Sequence, residues 1–294
     1  MKDQEAYRSE FISLARAKGI DDPAYYDAIL AIVDMIEKKR VDKATVTITV
    51  GIAGAQGCGK STLAELLALV LEDTIGLGSE VLSLDDFYKT RQERVELAQS
   101  VHPLFSVRGV PGTHDMEMLN QVVADLTVGK TTKKPIFNKA EDDRSRDFKI
   151  VTPVDIIILE GWCWGAMPAD EESLINPVNE LETIEDQDGV WRRAVNDGLA
   201  STSYQQAFNN DLNIFLAVPS MDAVFRWRAQ QEQELKVGTQ VMDETAIRRF
   251  IMYYERITRD MLNRLPRQVD LTLRLNEDHS IAPFSKTKPS NTKQ

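Results

Sequence analysis

Only two cysteines, Cys58 and Cys163, occur in 294 residues. Two thiols cannot build a disulfide framework, so the chain reads as a protein of a reducing compartment. No run approaches the roughly 18 consecutive apolar residues of a membrane-spanning helix. The first residues, Met1-Lys2-Asp3-Gln4-Glu5, carry no apolar signal core. Together these absences lead to the expectation of a cytoplasmic protein. A basic excess is also missing: 35 Lys and Arg face 46 Asp and Glu, a net charge of −11. Nucleic acid and anionic membrane would repel such a surface, so neither is expected as a partner. There is no internal repeat and no clean linker. A hydrophobic content of 43% still supplies a sizeable core.

What is there is a phosphate-binding motif. Gly54-Ala55-Gln56-Gly57-Cys58-Gly59-Lys60-Ser61 fits G-x-x-x-x-G-K-[ST] at every fixed position. Residues 44–52 before it are β-branched and apolar, and residues 62–71 after it are rich in Leu and Ala. The glycines therefore lie between a strand and a helix, the context the motif requires. A loop of this kind turns successive backbone N–H groups toward phosphate oxygens, and the helix N-terminus adds positive potential. Residues 54–61 with Thr62 are the expected ATP-binding segment. Lys60 is expected on the β- and γ-phosphates, and the Ser61 hydroxyl on Mg²⁺.

Further strands are expected at 80–84, 154–159, 212–218 and 271–275. Helices are expected at 116–126 and over 221–265, with a break near Gly238. Residues 5–40 read as two helices broken at Asp21-Asp22-Pro23. Residues 89–115 read as mostly irregular, 127–149 as a charged loop, and 165–210 as a long polar excursion. Strands alternating with helices give a parallel sheet with crossover helices. The fold class expected is α/β: a P-loop NTPase three-layer α/β/α sandwich with a helical N-terminal prefix and inserted acceptor and lid regions.

Ligands of such sheets bind beyond the carboxyl ends of the strands. Two strands besides the first end in acids there, Asp85-Asp86 and Glu160. Phosphoryl transfer to a small-molecule hydroxyl needs a group to orient the hydroxyl and accept its proton, and a carboxylate near Mg²⁺. Lys60, Asp85 and Glu160 are the candidate catalytic residues, and Ser61, Asp85 and Glu160 the candidate metal ligands. Successive strand residues face opposite ways, so Asp85 and Asp86 can both face substrate only if the strand has already ended.

The phosphate loop, Leu84-Asp85-Asp86-Phe87-Tyr88, Arg108-Gly109-Val110-Pro111-Gly112-Thr113-His114-Asp115 and Leu159-Glu160-Gly161-Trp162 together resemble the D-glycerate 3-kinase family. That family is related to uridine kinase, phosphoribulokinase and bacterial pantothenate kinase. The resemblance runs from about residue 48 to 235. It implies ATP and Mg²⁺ as cosubstrates, a small hydroxylated acceptor, and Asp85 as general base. It makes Asp86, Tyr88, Arg108, His114 and Lys139 acceptor-side candidates, since an arginine fork suits a carboxylate such as that of glycerate. It also implies a phosphate-contacting lid with Arg226 as cofactor ligand. On a helix, Arg226 and Arg228 face different sides, so one of them at most meets phosphate. Residues 1–43 would be a helical extension, 44–284 the kinase domain and 285–294 a disordered tail.

The sequence departs from the family near Pro135-Ile136-Phe137-Asn138-Lys139-Ala140, where a lysine survives but tyrosine, aspartate and serine do not. The glycines that follow in the family are replaced by charges, Glu141 to Asp147. The acceptor thus stays open. A P-loop ATPase or GTPase acting as a switch is the alternative. It calls for an N-K-x-D or ABC-type signature, and Asn138-Lys139-Ala140-Glu141 matches the first only loosely. Cys58 reads either as packing or as a redox-sensitive brake, because a helix N-terminus lowers a thiol pKa. The four tryptophans read as packing residues.

Overall fold

Ile48–Gly54 (β1) is apolar at nearly every position, and it lies at the centre of a sheet covered on both faces. The computed structural model describes residues 4–17, 19–43, 47–233 and 242–284. The chain opens with Gln4–Ala17 (α1) and Pro23–Lys43 (α2). After β1 come Lys60–Val70 (α3), Ser79–Ser83 (β2), Arg91–Ser100 (α4) and Met116–Thr127 (α5). Thr132–Asn138 (β3) and Asp143–Val151 (β4) form an antiparallel hairpin. Ile156–Gly161 (β5) follows, then Glu180–Glu185 (α6), Val190–Ala200 (α7), Thr202–Phe208 (α8) and Leu212–Ala217 (β6). Met221–Gln233 (α9), Glu244–Arg264 (α10) and Leu271–Arg274 (β7) complete the order.

The main sheet runs β2-β5-β1-β6-β7, with every pairing parallel. Residues of alternating direction build two cores. Val50, Ile52, Ile158 and Ile214 face α1, α2, α3 and α9, while Ala53, Ile157, Leu159 and Phe215 face α5, α7, α8 and α10. This is the expected three-layer sandwich. The start of the first expected strand (44–46), the break near Gly238 and the tail 285–294 lie outside the described residues.

Three regions differ from their sequence reading. Residues 89–115 contain α4, whose start carries a reciprocal cap between Thr90 and Glu93. Residues 127–149 hold the β3–β4 hairpin rather than a loop. The excursion 165–210 holds α6, α7 and α8, which pack Leu181, Trp191, Val195, Leu199, Tyr204 and Phe208 into the second core. Their apolar faces are short and broken by polar residues, so no long periodic run marks them.

Candidate active site

The register of the sheet assembles the cleft. Ile52 pairs with Glu160 across β1 and β5, and Ser83 pairs with Glu160 across β2 and β5. The phosphate loop, Glu160 and the segment after Ser83 therefore emerge side by side. Gly57 has φ +76, a conformation that favours glycine, and a Cβ there would stand 3.0 Å from the Trp227 Cβ. Ser61 lies in the first turn of α3 and donates to Glu160 Oε1 at 3.0 Å. Glu160 is 4% exposed, a buried carboxylate whose cost is met by this bond and by the Lys60 charge. For Lys60 itself, burial works against the charge. Glu160, Cys58, Asp85 and Cys163 together outweigh it and hold the ammonium above its usual range.

β2 ends at Ser83, and Leu84–Phe87 is one 3-10 turn. Alternation therefore no longer applies to Asp85 and Asp86. Asp85 accepts from the Tyr88 hydroxyl at 2.7 Å and from Lys139 Nζ at 2.8 Å. Burial pushes its pKa up, but Lys139, Lys60 and Tyr88 prevail and hold it at about 2. Asp86 turns elsewhere, 3.6 Å from Lys134, which also bonds Val81 O and pairs with Glu80. Its carboxylate ties the turn to the base of the hairpin, and its place on the acceptor stays a proposal.

The segment 108–115 is held from several sides. Gly109 N donates to Thr113 Oγ1 at 3.0 Å, and Trp162 Nε1 donates to Gly109 O at 2.7 Å. Lys89 N donates to Thr113 O, and Asp115 N to Phe87 O. Tyr88 stacks on His114 at 4.8 Å. Arg108 lies over the Phe137 ring at 5.3 Å and pairs with Asp142. His114 is 3% exposed, and its Nδ1 lies 2.6 Å from the Tyr204 hydroxyl. That hydroxyl also accepts from Gly112 N, so it bridges the backbone at 112 and the imidazole. Nε2 has no partner among the described residues. Burial holds the ring neutral, with its pKa near 3. His114 is therefore in the wall behind Tyr88 rather than on the cleft surface.

Both arginines of the expected lid are ion-paired. Arg226 pairs with Glu277, and Arg228 pairs with Glu232 over the Phe250 ring. The α9 side chain resting on the phosphate loop is Trp227, stacked on His279 at 4.0 Å, and His279 Nε2 contacts Gly57 O at 3.0 Å. Cys58 fits the packing alternative. It is 3% exposed, and burial raises its thiol pKa despite Lys60. That favours packing over redox control. All four tryptophans are buried, as expected of packing residues.

Sequence reasoning missed Tyr204, Asp142, Arg94, Phe137 and Tyr254. Only Arg94 had an available sign, the T-x-x-E cap at Thr90 that opens its helix.

With this geometry in hand, similarity to known proteins is informative. The chain is 37% identical over 223 residues to an uncharacterized kinase, mug58, of Schizosaccharomyces pombe, covering 69% of this chain and 77% of that one. Residues 49–171 match the phosphoribulokinase/uridine kinase family model. The chain belongs to this family. It is an ATP-dependent kinase, a phosphotransferase with an alcohol group as acceptor, and the switch reading falls away. It is also similar to the chloroplastic D-glycerate 3-kinase of Arabidopsis thaliana, 27% identical over 225 residues, covering 70% of this chain and 46% of that one. A solved D-glycerate 3-kinase from Cryptococcus neoformans superposes with a TM-score of 0.74 at 26% identity, covering 89% of this chain and 98% of that one. No helix among the described residues is long and apolar enough to cross a membrane.

Proposed function

We propose that this kinase transfers the γ-phosphoryl group of ATP to a hydroxyl of a small hydroxy acid, with D-glycerate the first candidate. The observation that carries this reading is Asp85. It is an ionised carboxylate just past the strand end that pairs with Glu160, within the electrostatic reach of Lys60, and both it and Arg108 act on Tyr88. The printed names of two relatives supply D-glycerate. Departures at 138–143 leave room for another hydroxy acid.

In this mechanism the N–H groups of residues 54–62 cradle the nucleotide phosphates, and Lys60 balances charge on the β- and γ-oxygens. Asp85 orients the acceptor hydroxyl and takes its proton. Because its pKa is low, orientation is its larger contribution, as suits a loose phosphoryl-transfer transition state. The Asp85 carboxylate, bonded to Tyr88 and Lys139, keeps lone pairs for the hydroxyl. Ser61, Glu160 and Asp85 are oxygen donors of the kind Mg²⁺ takes. No cluster of three or more His, Cys, Asp or Glu forms a metal cage among the described residues. That matches an ion held by one or two carboxylates, water and nucleotide phosphates. When bound, Mg²⁺ would supply neutralisation of phosphate charge. Residues 1–43 are proposed as a cover for the sheet within one kinase unit, and the small-molecule site is proposed to work without nucleic acid or membrane.

The test is a coupled ADP-release assay with Mg·ATP and D-glycerate, L-glycerate, pantothenate, uridine and ribulose 5-phosphate. D-glycerate should stimulate release, and Asp85→Asn should lower kcat by about 10²- to 10⁴-fold. Stimulation by a different acceptor would move the substrate assignment. Full activity in Asp85→Asn would remove Asp85 from the mechanism.

A further inference from the structure

The turn of the β3–β4 hairpin, residues 138–143, brings one charge of each sign to the acceptor side of the cleft. Lys139 reaches Asp85 Oδ2. Asp142 offers Oδ1 to Arg108 and Oδ2 to Arg94, the latter at 3.0 Å. The turn is fixed locally, because Asn138 Oδ1 accepts from Ala140 N at 3.1 Å and from Glu141 N at 3.4 Å. Asp142 adopts φ +53, which aspartate tolerates better than most residues. Asp85 and Arg108, the two groups a hydroxy acid needs, are thus each covered by the opposite charge, and both covers come from the same few residues.

The two arginines on Asp142 are not equivalent. Arg94 is 1% exposed and binds only protein: Ser106 O at 3.0 Å, Lys89 O at 3.4 Å, and both the carboxylate and the backbone oxygen of Asp142. Arg108 is 30% exposed, with one face on Phe137 and one edge on Asp142. If Arg108 lets go, Asp142 stays paired with Arg94 and no buried charge is stranded. A carboxylate from solution can then take the Arg108 edge with two parallel hydrogen bonds. An uncharged polyol has nothing to offer Arg108 that Asp142 does not already supply.

We propose that Asp142 sets the affinity for the acceptor: its carboxylate holds Arg108 in place of the acceptor's anionic group, and an acceptor with such a group near its reacting hydroxyl has to displace it. This rests on the reading above that Asp85 and Arg108 face the acceptor, and it adds the residue with which the acceptor's carboxylate competes.

The test compares the parent with Asp142→Asn, which keeps an oxygen for Arg94. The acceptors are D-glycerate, L-glycerate and glycerol at saturating Mg·ATP. Asp142→Asn should lower KM for the acid that is turned over by about tenfold, on the order of one charge-assisted hydrogen bond. KM for ATP and the response to glycerol should not change. An unchanged or raised KM for the acid overturns the proposal, since Asp142 would then be placing Arg108 rather than competing for it. Glycerol turned over as well as either acid by the parent also overturns it. A response to L-glycerate alone moves the acceptor of the preceding section and leaves this comparison to be made on L-glycerate. Should Asp142→Asn fold poorly, hydrogen exchange in the parent gives the answer. With a non-hydrolysable ATP analogue bound, the acid should speed exchange in residues 138–143 and glycerol should not. Unchanged exchange with both acids overturns the proposal.

Discussion

Gly109→Ala should damage this kinase more than any surface substitution. Gly109 sits at φ +128, and a Cβ there would stand 2.3 Å from the Tyr254 hydroxyl oxygen, 2.7 Å from Cε1 and 2.8 Å from Cζ. The ring cannot retreat. Trp162 packs edge-on against it at 4.8 Å, and Phe250 lies at the same distance on another side. The Tyr254 hydroxyl also donates to Arg108 O at 3.2 Å. A non-glycine residue in this conformation costs about 1–3 kcal/mol. Overpacking a buried ring adds about 1–3 kcal/mol. The sum, about 2–6 kcal/mol, corresponds to a melting-point fall of roughly 3–10 °C in a chain of this size. Because Arg108 is the next residue, KM for the acceptor should rise while KM for ATP holds. Tyr254→Phe removes the nearest clashing atom but keeps the two carbons, so the double variant should recover about 1 kcal/mol relative to additivity. Thermal melts and acceptor kinetics on the four proteins decide the matter. A melting point within about 2 °C of the parent, or strict additivity in the double variant, would refute the reasoning.

Two further outcomes follow from the wall behind Tyr88. His114 is held near pKa 3 when folded, while its unfolded value is about 6.5, so the unfolded chain binds the extra proton between those pH values. Its contribution to stability is complete above pH 6.5 and is lost as pH falls, at about 1.4 kcal/mol per pH unit. Urea unfolding at pH 7, 6 and 5 should show a shallower pH slope in His114→Gln; parallel slopes would count against a buried neutral imidazole. Tyr204→Phe removes the acceptor for Gly112 N and the hydrogen-bond partner of His114 Nδ1, and should cost about 2–4 kcal/mol in urea while raising acceptor KM more than ATP KM. A loss confined to ATP binding would place this pair elsewhere in the mechanism.

The sheet and the phosphate end of the cleft were legible in the sequence because their signals are local. A loop motif sits between a β-branched run and a Leu/Ala run, and a nearly continuous apolar strand ends in Glu160. Lys139 was singled out as an acceptor-side residue by a family resemblance, and its bond to Asp85 was not foreseen. The acceptor end was harder to read for physical reasons. Asp142 looks like one charge among several in a polar run, and its importance lies in pairing with Arg108, 34 positions away. Tyr204 lies 90 positions from His114, on a helix too short to announce itself. The pairing of Asp86 with Lys134 and of Arg226 with Glu277 was equally hidden, because charged residues next to a functional site look the same in sequence whether they face the ligand or a neighbouring side chain.

The contact between His279 and Gly57 spans 222 positions, and Trp227 is caught between the two. A chain growing on the ribosome makes its phosphate loop more than two hundred residues before the turn that braces it. Until residue 279 has emerged, residues 54–61 have β1 and α3 on either side without the His279 contact behind Gly57. Nucleotide is offered a fully braced loop only after that turn has been made. Truncation or local melting at the final strand would reach the phosphates directly, although that strand contributes no residue to the motif.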